Sequence, residues 1–235
     1  MPKGSLFLIP VPLAENSADK VLTVYQQDLI NNISTYIVEN EKTARHWLKQ
    51  MHIKIPQSEL VLHNYGKHSE KTDISTYFKE LETGQDVGLM SEAGCPAVAD
   101  PGSEIVAEAH RRGIKVVPMV GPSSILLALM ASGFSGQSFT FHGYLPIDKV
   151  QRSKRIKELE NMAERNHQTQ IFIETPFRNN QMLEELLRSC SSKTQLCVAV
   201  NVTSEDEQII SRPVEQWRKL KVDFHKKPAI FLLFK

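Results

Sequence analysis

Leu89-Met90-Ser91-Glu92-Ala93-Gly94-Cys95-Pro96-Ala97-Val98-Ala99-Asp100-Pro101-Gly102 is the stretch that decides the fold. An apolar run, Val87 to Met90, enters a loop of small residues punctuated by proline. Asp100-Pro101 has the pattern of a helix N-cap followed by a first-turn proline. A strand, a loop and a helix in this order are where open α/β proteins hold ligands, beyond the carboxyl ends of their strands. The loop exceeds the usual roughly 2–6 residues of a plain connection. Its small residues point to backbone that approaches a small molecule closely.

Working outward, short apolar runs alternate with helical segments. Strands are predicted at Leu6–Ile9, Thr35–Val38, Leu60–Leu62, Val87–Met90 and Lys115–Pro118. Helices are predicted between them near Ala18–Asn31, Glu41–Met51, Lys71–Thr83 and Pro101–Arg112. This alternation predicts a mostly parallel sheet covered on both faces. Gly121-Pro122-Ser123-Ser124 then opens an apolar helix, Ile125–Ala131. Further strands are expected at Phe139–His142, Gln170–Ile173, Gln195–Val200, Gln208–Ser211 and Ala229–Phe234, with a charged helix at Val150–Glu164. Thr175-Pro176 reads as the cap and first-turn proline of a helix running to about Ser189. The expected fold is two α/β/α domains with mostly parallel sheets, at 1–119 and 120–235.

A formal net charge of +1 over 235 residues excludes a global polycation, so any nucleic-acid contact must be local. Two basic clusters qualify. One holds Lys149, Arg152, Lys154, Arg155 and Lys157; the other holds Arg218, Lys219, Lys221, Lys226 and Lys227. Each also reads as a solvated face. Cys95, Cys190 and Cys197 have no paired or metal-ligand spacing, so a reducing compartment, the cytoplasm, and no metal are expected. No signal peptide or membrane span is expected from the apolar runs. The glycine fingerprint of dinucleotide folds, the P-loop, His-Glu-x-x-His and Gly-x-Ser-x-Gly are all missing. What remains is three small-residue loops at strand ends: Ile9-Pro10-Val11-Pro12, Ser91 to Pro101, and Gly121-Pro122-Ser123-Ser124. Each alone is an ordinary turn; three at the ends of one sheet offer backbone groups and hydroxyls to a ligand of mixed polarity.

These residues resemble the S-adenosylmethionine-dependent tetrapyrrole methylase superfamily, and within it the branch that 2′-O-methylates a ribose of bacterial small-subunit (16S) rRNA. The family's Ser-Asp-Ala-Gly-Thr-Pro…Asp-Pro-Gly loop is matched by Ser91-Glu92-Ala93-Gly94-Cys95-Pro96…Asp100-Pro101-Gly102. Its Val-Val-Pro…Gly-Pro-Ser is matched by Val116-Val117-Pro118…Gly121-Pro122-Ser123. The rRNA branch's Phe-x-Gly-Phe-Leu-Pro with a basic helix is matched by Phe141-His142-Gly143-Tyr144-Leu145-Pro146 and Arg152 to Lys157. A Glu-Ser/Thr-Pro-x-Arg element reads Glu174-Thr175-Pro176-Phe177-Arg178.

The resemblance implies a homodimeric methyltransferase with S-adenosylmethionine in the cleft between its domains. Pro10, Gly94, Cys95, Ala97, Val98, Ser123, Ser124, Asn201 and Pro228 would contact the cofactor. Lys149, Arg152, Lys154 and Arg155 would contact rRNA or the small ribosomal subunit. Glu39, Lys42, Glu92 and Arg178 are the candidate catalytic residues; each also reads as a cap, an ion pair or a surface charge. Cys95 reads as a small buried residue rather than a nucleophile, since no partner base is evident.

The chain departs from the branch at Pro10-Val11-Pro12-Leu13-Ala14-Glu15, where the branch has Pro-Thr-Pro-Ile-Gly-Asn. Glu39-Asn40-Glu41-Lys42 stands for Glu-Asp-Thr-Arg, and Val200-Asn201-Val202-Thr203-Ser204 for Arg-Glu-Leu-Thr-Lys. Two readings therefore stand beside rRNA methylation: methylation of a porphyrinoid or other small molecule, and a cofactor-binding member that has lost the chemistry.

Overall fold

The computed structural model describes residues 2–65 and 74–235. The chain divides into two compact units, Met1–Ser123 and Ser124–Lys235, whereas the sequence pattern puts the junction at 119.

In the first unit, strands β1 (Ser5–Leu8), β2 (Thr35–Val38), β3 (Val61–Asn64), β4 (Val87–Met90) and β5 (Lys115–Pro118) alternate with helices α1 (Ala18–Val21), α2 (Val24–Ile30), α3 (Glu41–Gln50), α4 (Lys79–Glu82) and α5 (Ser103–Arg111). The strands form one sheet in the order β3-β2-β4-β1-β5, and every pairing is parallel. The period-2 alternation of side chains explains why both faces are covered. Phe7, Tyr36, Val38 and Met90 pack into one apolar cluster with Trp47 and Leu48 of α3. Leu6, Ile37, Val87 and Leu89 pack into the opposite cluster with Ile105 and Ala109 of α5. Gly88 permits a tight approach: a Cβ there would lie 2.5 Å from the Tyr36 ring.

In the second unit, helices α6 (Ser124–Ser132), α7 (Lys149–Asn166), α8 (Asn179–Ser189) and α9 (Val214–Trp217) accompany strands β6 (Phe139–Tyr144), β7 (Thr169–Ile173), β8 (Gln195–Val200), β9 (Gln208–Pro213) and β10 (Ala229–Phe234). The sheet order is β6-β7-β10-β8-β9. The alternation repeats here. Phe172, Leu196, Val198, Phe231 and Leu233 face α7 and α8, while Ile171, Cys197, Ala199, Ile230 and Leu232 face α6.

Four local expectations change. The second sheet is not mostly parallel: only β6 and β7 run parallel, and β7-β10, β10-β8 and β8-β9 are antiparallel. A strand buried on both faces reads as the same apolar run in either direction, so its pattern carries no polarity. The expected Ala18–Asn31 helix breaks at Leu22, which is extended, because Thr23 forms a capping box with Gln26 and starts α2 afresh. The cap of α5 is Gly102, not Asp100, and Pro101 precedes the helix. Gly102 stands at φ 121, a conformation open to glycine, and so it makes the turn into α5. The expected Lys71–Thr83 helix is a 3₁₀ turn at Ile74–Phe78 followed by α4, and its residues 71–73 lie outside the described part.

Phe231 is fully buried on β10, and its ring stacks on Phe172 of β7 with centroids 5.7 Å apart. Phe231→Ala is expected to destabilise the second unit by about 3–5 kcal/mol. A urea titration followed by tryptophan fluorescence checks this, because Trp217 packs in the same cluster.

Candidate functional site

Because the five strands of the first sheet are parallel, their carboxyl ends share one edge. The segments after β2, β4, β1 and β5 lie side by side there, since those strands are neighbours in that order. The three small-residue loops interlock. Val11 and Gly94 form an isolated antiparallel bridge, with N–H···O distances of 2.9 and 3.1 Å. Gly121 sits so close to Pro10 that a Cβ would fall 2.2 Å from the Pro10 Cβ. The Cys95 thiol donates to the Pro122 carbonyl at 3.3 Å. Ser91, buried, donates from its hydroxyl to the Gly94 carbonyl at 3.3 Å.

Within this frame the loop after β4 runs through left-handed backbone at Gly94, Ala97, Ala99 and Gly102. Left-handed residues turn the chain and leave its amides and carbonyls outside ladder pairing. Val98 is half exposed, Ala97 and Cys95 are partly covered, and Pro10 is buried. Ser123 and Ser124 are partly covered where β5 leads into α6. Apart from Glu92 and Asp100, the surface is therefore small, uncharged and backbone-rich. It suits a small ligand of mixed polarity held by backbone groups. Burial raises the Cys95 pKa above its ordinary value, so the sulfur stays a neutral thiol. Burial pushes the Cys190 and Cys197 thiols up to about 12.

The candidate catalytic residues separate. Glu39 follows β2 and is half-buried; Lys42 is exposed in the first turn of α3. Glu92 is exposed on the loop after β4, and its Oε1 accepts from the Thr43 hydroxyl at 3.2 Å. Its carbonyl accepts from the Trp47 indole at 2.8 Å. These three share the carboxyl edge of one sheet. Tyr65, just beyond β3, belongs to the same edge. Its phenol is pushed up to about 12, by burial first, then by its hydrogen bond to Glu104, with the Glu39 charge adding to the effect. Thr43 and Trp47 went unnoticed in the sequence. Their signal was the i,i+4 spacing that puts both on one face of α3.

Arg178 is on the second unit and is already engaged. Its Nε and Nη2 donate to Glu174 Oε1 at 3.0 and 2.6 Å. The Glu174 side chain is almost wholly buried, so the pair holds the 3₁₀ turn Pro176–Arg178 in place. Asn201 and Pro228 are neighbours: the Asn201 amide donates to the Pro228 carbonyl at 3.0 Å. Asn201 and Thr203 are both left-handed. The Thr203 hydroxyl is buried with no hydrogen-bond partner. An orphaned hydroxyl beside Asn201 fits a polar ligand there.

Of the expected RNA contacts, Lys149 and Lys154 are exposed on α7. Arg152 is not: it is buried, and its Nη1 donates to the Ile147 carbonyl at 2.9 Å. The helical period turns that one position of the basic cluster inward, so it fixes the turn before α7. Arg155 is partly covered and donates to His142 Nδ1 at 3.1 Å. His142 Nε2 donates in turn to Gln170 Oε1 at 2.7 Å, so the ring is held neutral in one tautomer. Burial also keeps the His142 pKa below its ordinary value. Among the described residues no group of three His, Cys, Asp or Glu side chains is placed to hold a metal ion, and no helix is long and apolar enough to cross a membrane.

The family profile of the tetrapyrrole (corrin/porphyrin) methylases matches residues 17–217. The chain is 29% identical to the ribosomal RNA small subunit methyltransferase I of Vibrio cholerae, over 92% of this chain and 72% of that protein. Its identity to the protein of the same name from Halalkalibacterium halodurans is 30%, over 87% of this chain and 67% of that one. The backbone is similar to that of the methyltransferase CobJ, with a TM-score of 0.64 and 18% identity over 99% of this chain and 94% of the other, a likeness of fold. An interlocked, uncharged loop surface at the carboxyl edge of a parallel sheet and a profile match across most of the chain agree: the protein is a methyltransferase that belongs to the tetrapyrrole (corrin/porphyrin) methylase family.

Proposed function

We propose that the protein transfers a methyl group from S-adenosylmethionine to a ribose 2′-hydroxyl of small-subunit ribosomal RNA. The interlocked loops at Pro10, Gly94 and Gly121 carry the cofactor part of this reading. The names of its relatives and the exposed Lys149 and Lys154 support the RNA part.

Pro10, Gly94, Cys95, Ala97, Val98, Ser123 and Ser124 are the residues of the first edge that would hold the cofactor. Asn201 and Pro228 are its proposed contacts in the second unit. When bound, S-adenosylmethionine supplies a methyl group activated by the sulfonium charge. What the chain contributes is positioning and control of protons. The neutral Cys95 thiol keeps a competing sulfur nucleophile out of the site. Glu92, steadied by Thr43 and Trp47, is the proposed acceptor of the 2′-hydroxyl proton. Glu39 and Lys42 flank it at the same edge, for orientation and for phosphate. Arg178 acts through Glu174 as a positioning residue. Lys149 and Lys154 contact the RNA backbone, while Arg152 supports the turn beneath them.

Calorimetric titration with S-adenosylmethionine and S-adenosylhomocysteine is expected to show micromolar binding of both. Gly121→Ala is expected to weaken it at least about ten-fold, because the methyl group collides with Pro10 and parts the loops. Iodoacetamide is expected to label Cys95 before the buried Cys190 and Cys197, faster as the pH rises towards 9 and above, and more slowly with S-adenosylhomocysteine present. Equal labelling with and without ligand would place the cofactor elsewhere.

Glu92→Gln is expected to lower kcat about 100-fold or more with cofactor affinity unchanged. Steady-state methyl transfer from labelled donor to isolated small subunits checks this. Lys149→Glu with Lys154→Glu is expected to weaken RNA binding and flatten its dependence on log salt by about one unit for each phosphate left without its lysine. An unaltered salt slope would remove α7 from the RNA interface. Tight cofactor binding with no transfer to rRNA would favour a member that has lost the chemistry.

A further inference from the structure

Phe177 is 66% exposed and belongs to neither apolar cluster of its unit. The chain nevertheless holds it firmly. Thr175, with Pro176 at the first position of the turn, starts the 3₁₀ segment, and the Arg178 amide donates to the Thr175 carbonyl at 2.9 Å. The buried Glu174 grips the Arg178 guanidinium from the other side.

A second stretch of chain, 223–228, is stitched across this turn. The Lys226 amide donates to the Pro176 carbonyl at 2.9 Å, and Asn179 Nδ2 donates to the Lys227 carbonyl at 2.6 Å. Asn180 makes two bonds to the same stretch, donating to Asp223 Oδ1 at 2.7 Å and accepting from the Phe224 amide at 2.8 Å. These bonds hold Lys226 in the left-handed region at φ 61, a conformation that costs a lysine free energy. They also set the His225 ring edge-on to Phe177, with centroids 6.0 Å apart at 73°. An edge-to-face pair leaves a ring face open to a third partner.

We propose that Phe177, braced by His225, is a stacking platform for an unpaired base of the RNA. This rests on the RNA reading above. Three observations select a base over a phosphate or an apolar peptide. The ring is rigid and open, as stacking requires. The surrounding charge is nearly balanced: Lys227 lies within electrostatic reach of Asp206 and Asp223, which leaves exposed Lys226 to meet the neighbouring phosphate. The platform is also continuous with the proposed cofactor contacts, because Pro228, which follows Lys227, accepts from the Asn201 amide.

The test compares Phe177→Leu and Phe177→Trp with the unaltered protein in methyl transfer to isolated small subunits. The leucine variant is expected to raise KM for RNA about ten-fold or more. Cofactor binding by calorimetry and the melting temperature should stay unchanged, since the side chain is outside the core. The tryptophan variant should restore KM. A short RNA carrying 2-aminopurine should be quenched by the unaltered and tryptophan proteins and not by the leucine one. Equal KM for all three proteins overturns the platform while leaving the RNA reading intact. Leucine serving as well as tryptophan overturns it too, because an apolar contact would then suffice. So does a leucine variant that changes from dimer to monomer by light scattering, which makes the face a protein contact. No transfer or RNA binding by the unaltered protein overturns the RNA reading, and the platform with it.

Discussion

Val11 and Gly94 exchange two backbone hydrogen bonds beyond the last residues of β1 and β4, and the candidate site rests on that exchange. Parallel strands bring their carboxyl ends to one edge but do not join the loops that leave them. The bridge joins two of those loops, and the contact of Gly121 with Pro10 adds the third. Gly94 permits this at φ 70, where a side chain would press on Leu13 and the Pro122 carbonyl. A glycine stands on one side of each contact, Gly94 against Val11 and Gly121 against Pro10. That is why the segments carrying the site are rich in glycine, alanine, serine and proline rather than in charged groups.

The edge also divides the labour of the site. Its uncharged centre comes from backbone and small side chains, which offer a ligand shape and directed hydrogen bonds. Its charged margin comes from Glu39, Lys42 and Glu92, where β2 and β4 give way to α3 and the long loop. Trp47 and Thr43 couple the margin to the core, since Trp47 is buried in the sheet's apolar cluster while its indole holds the Glu92 carbonyl. A change in α3 packing would thus move Glu92 without touching the contact of Gly121 with Pro10.

In the second unit, buried polar pairs do the fixing. Glu174 with Arg178 anchors one turn, and Asn179 and Asn180 stitch 223–228 to it. Buried ion pairs add little net stability, because desolvation offsets much of the attraction. Breaking one leaves an uncompensated buried charge, so such a pair is effective at holding geometry. His142 does the same for Arg155 through a chain that ends on Gln170. Phe177 stays exposed on the anchored turn, and Lys149 and Lys154 on α7.

The apolar runs, the proline and glycine punctuation and the cap residues determined by themselves where most elements begin and end. β2, β4, β5, β8 and β10 occupy the residues their patterns implied. The small-residue composition of the loop after β4 also marked where backbones meet closely, because such an approach leaves a compositional trace. Strand direction in the second sheet left none, since burial on both faces erases polarity. The fate of Arg152 was equally hidden. A basic run tells that a helix carries charge, but only packing decides which member faces inward. Whether Arg178 or Glu92 is available to a substrate was a matter of partners distant in the chain or across an element: Glu174 on a buried turn, Thr43 and Trp47 on α3. Those are decided by tertiary structure alone, because hydrogen bonds and burial depend on what the fold brings together rather than on which residue types the chain contains.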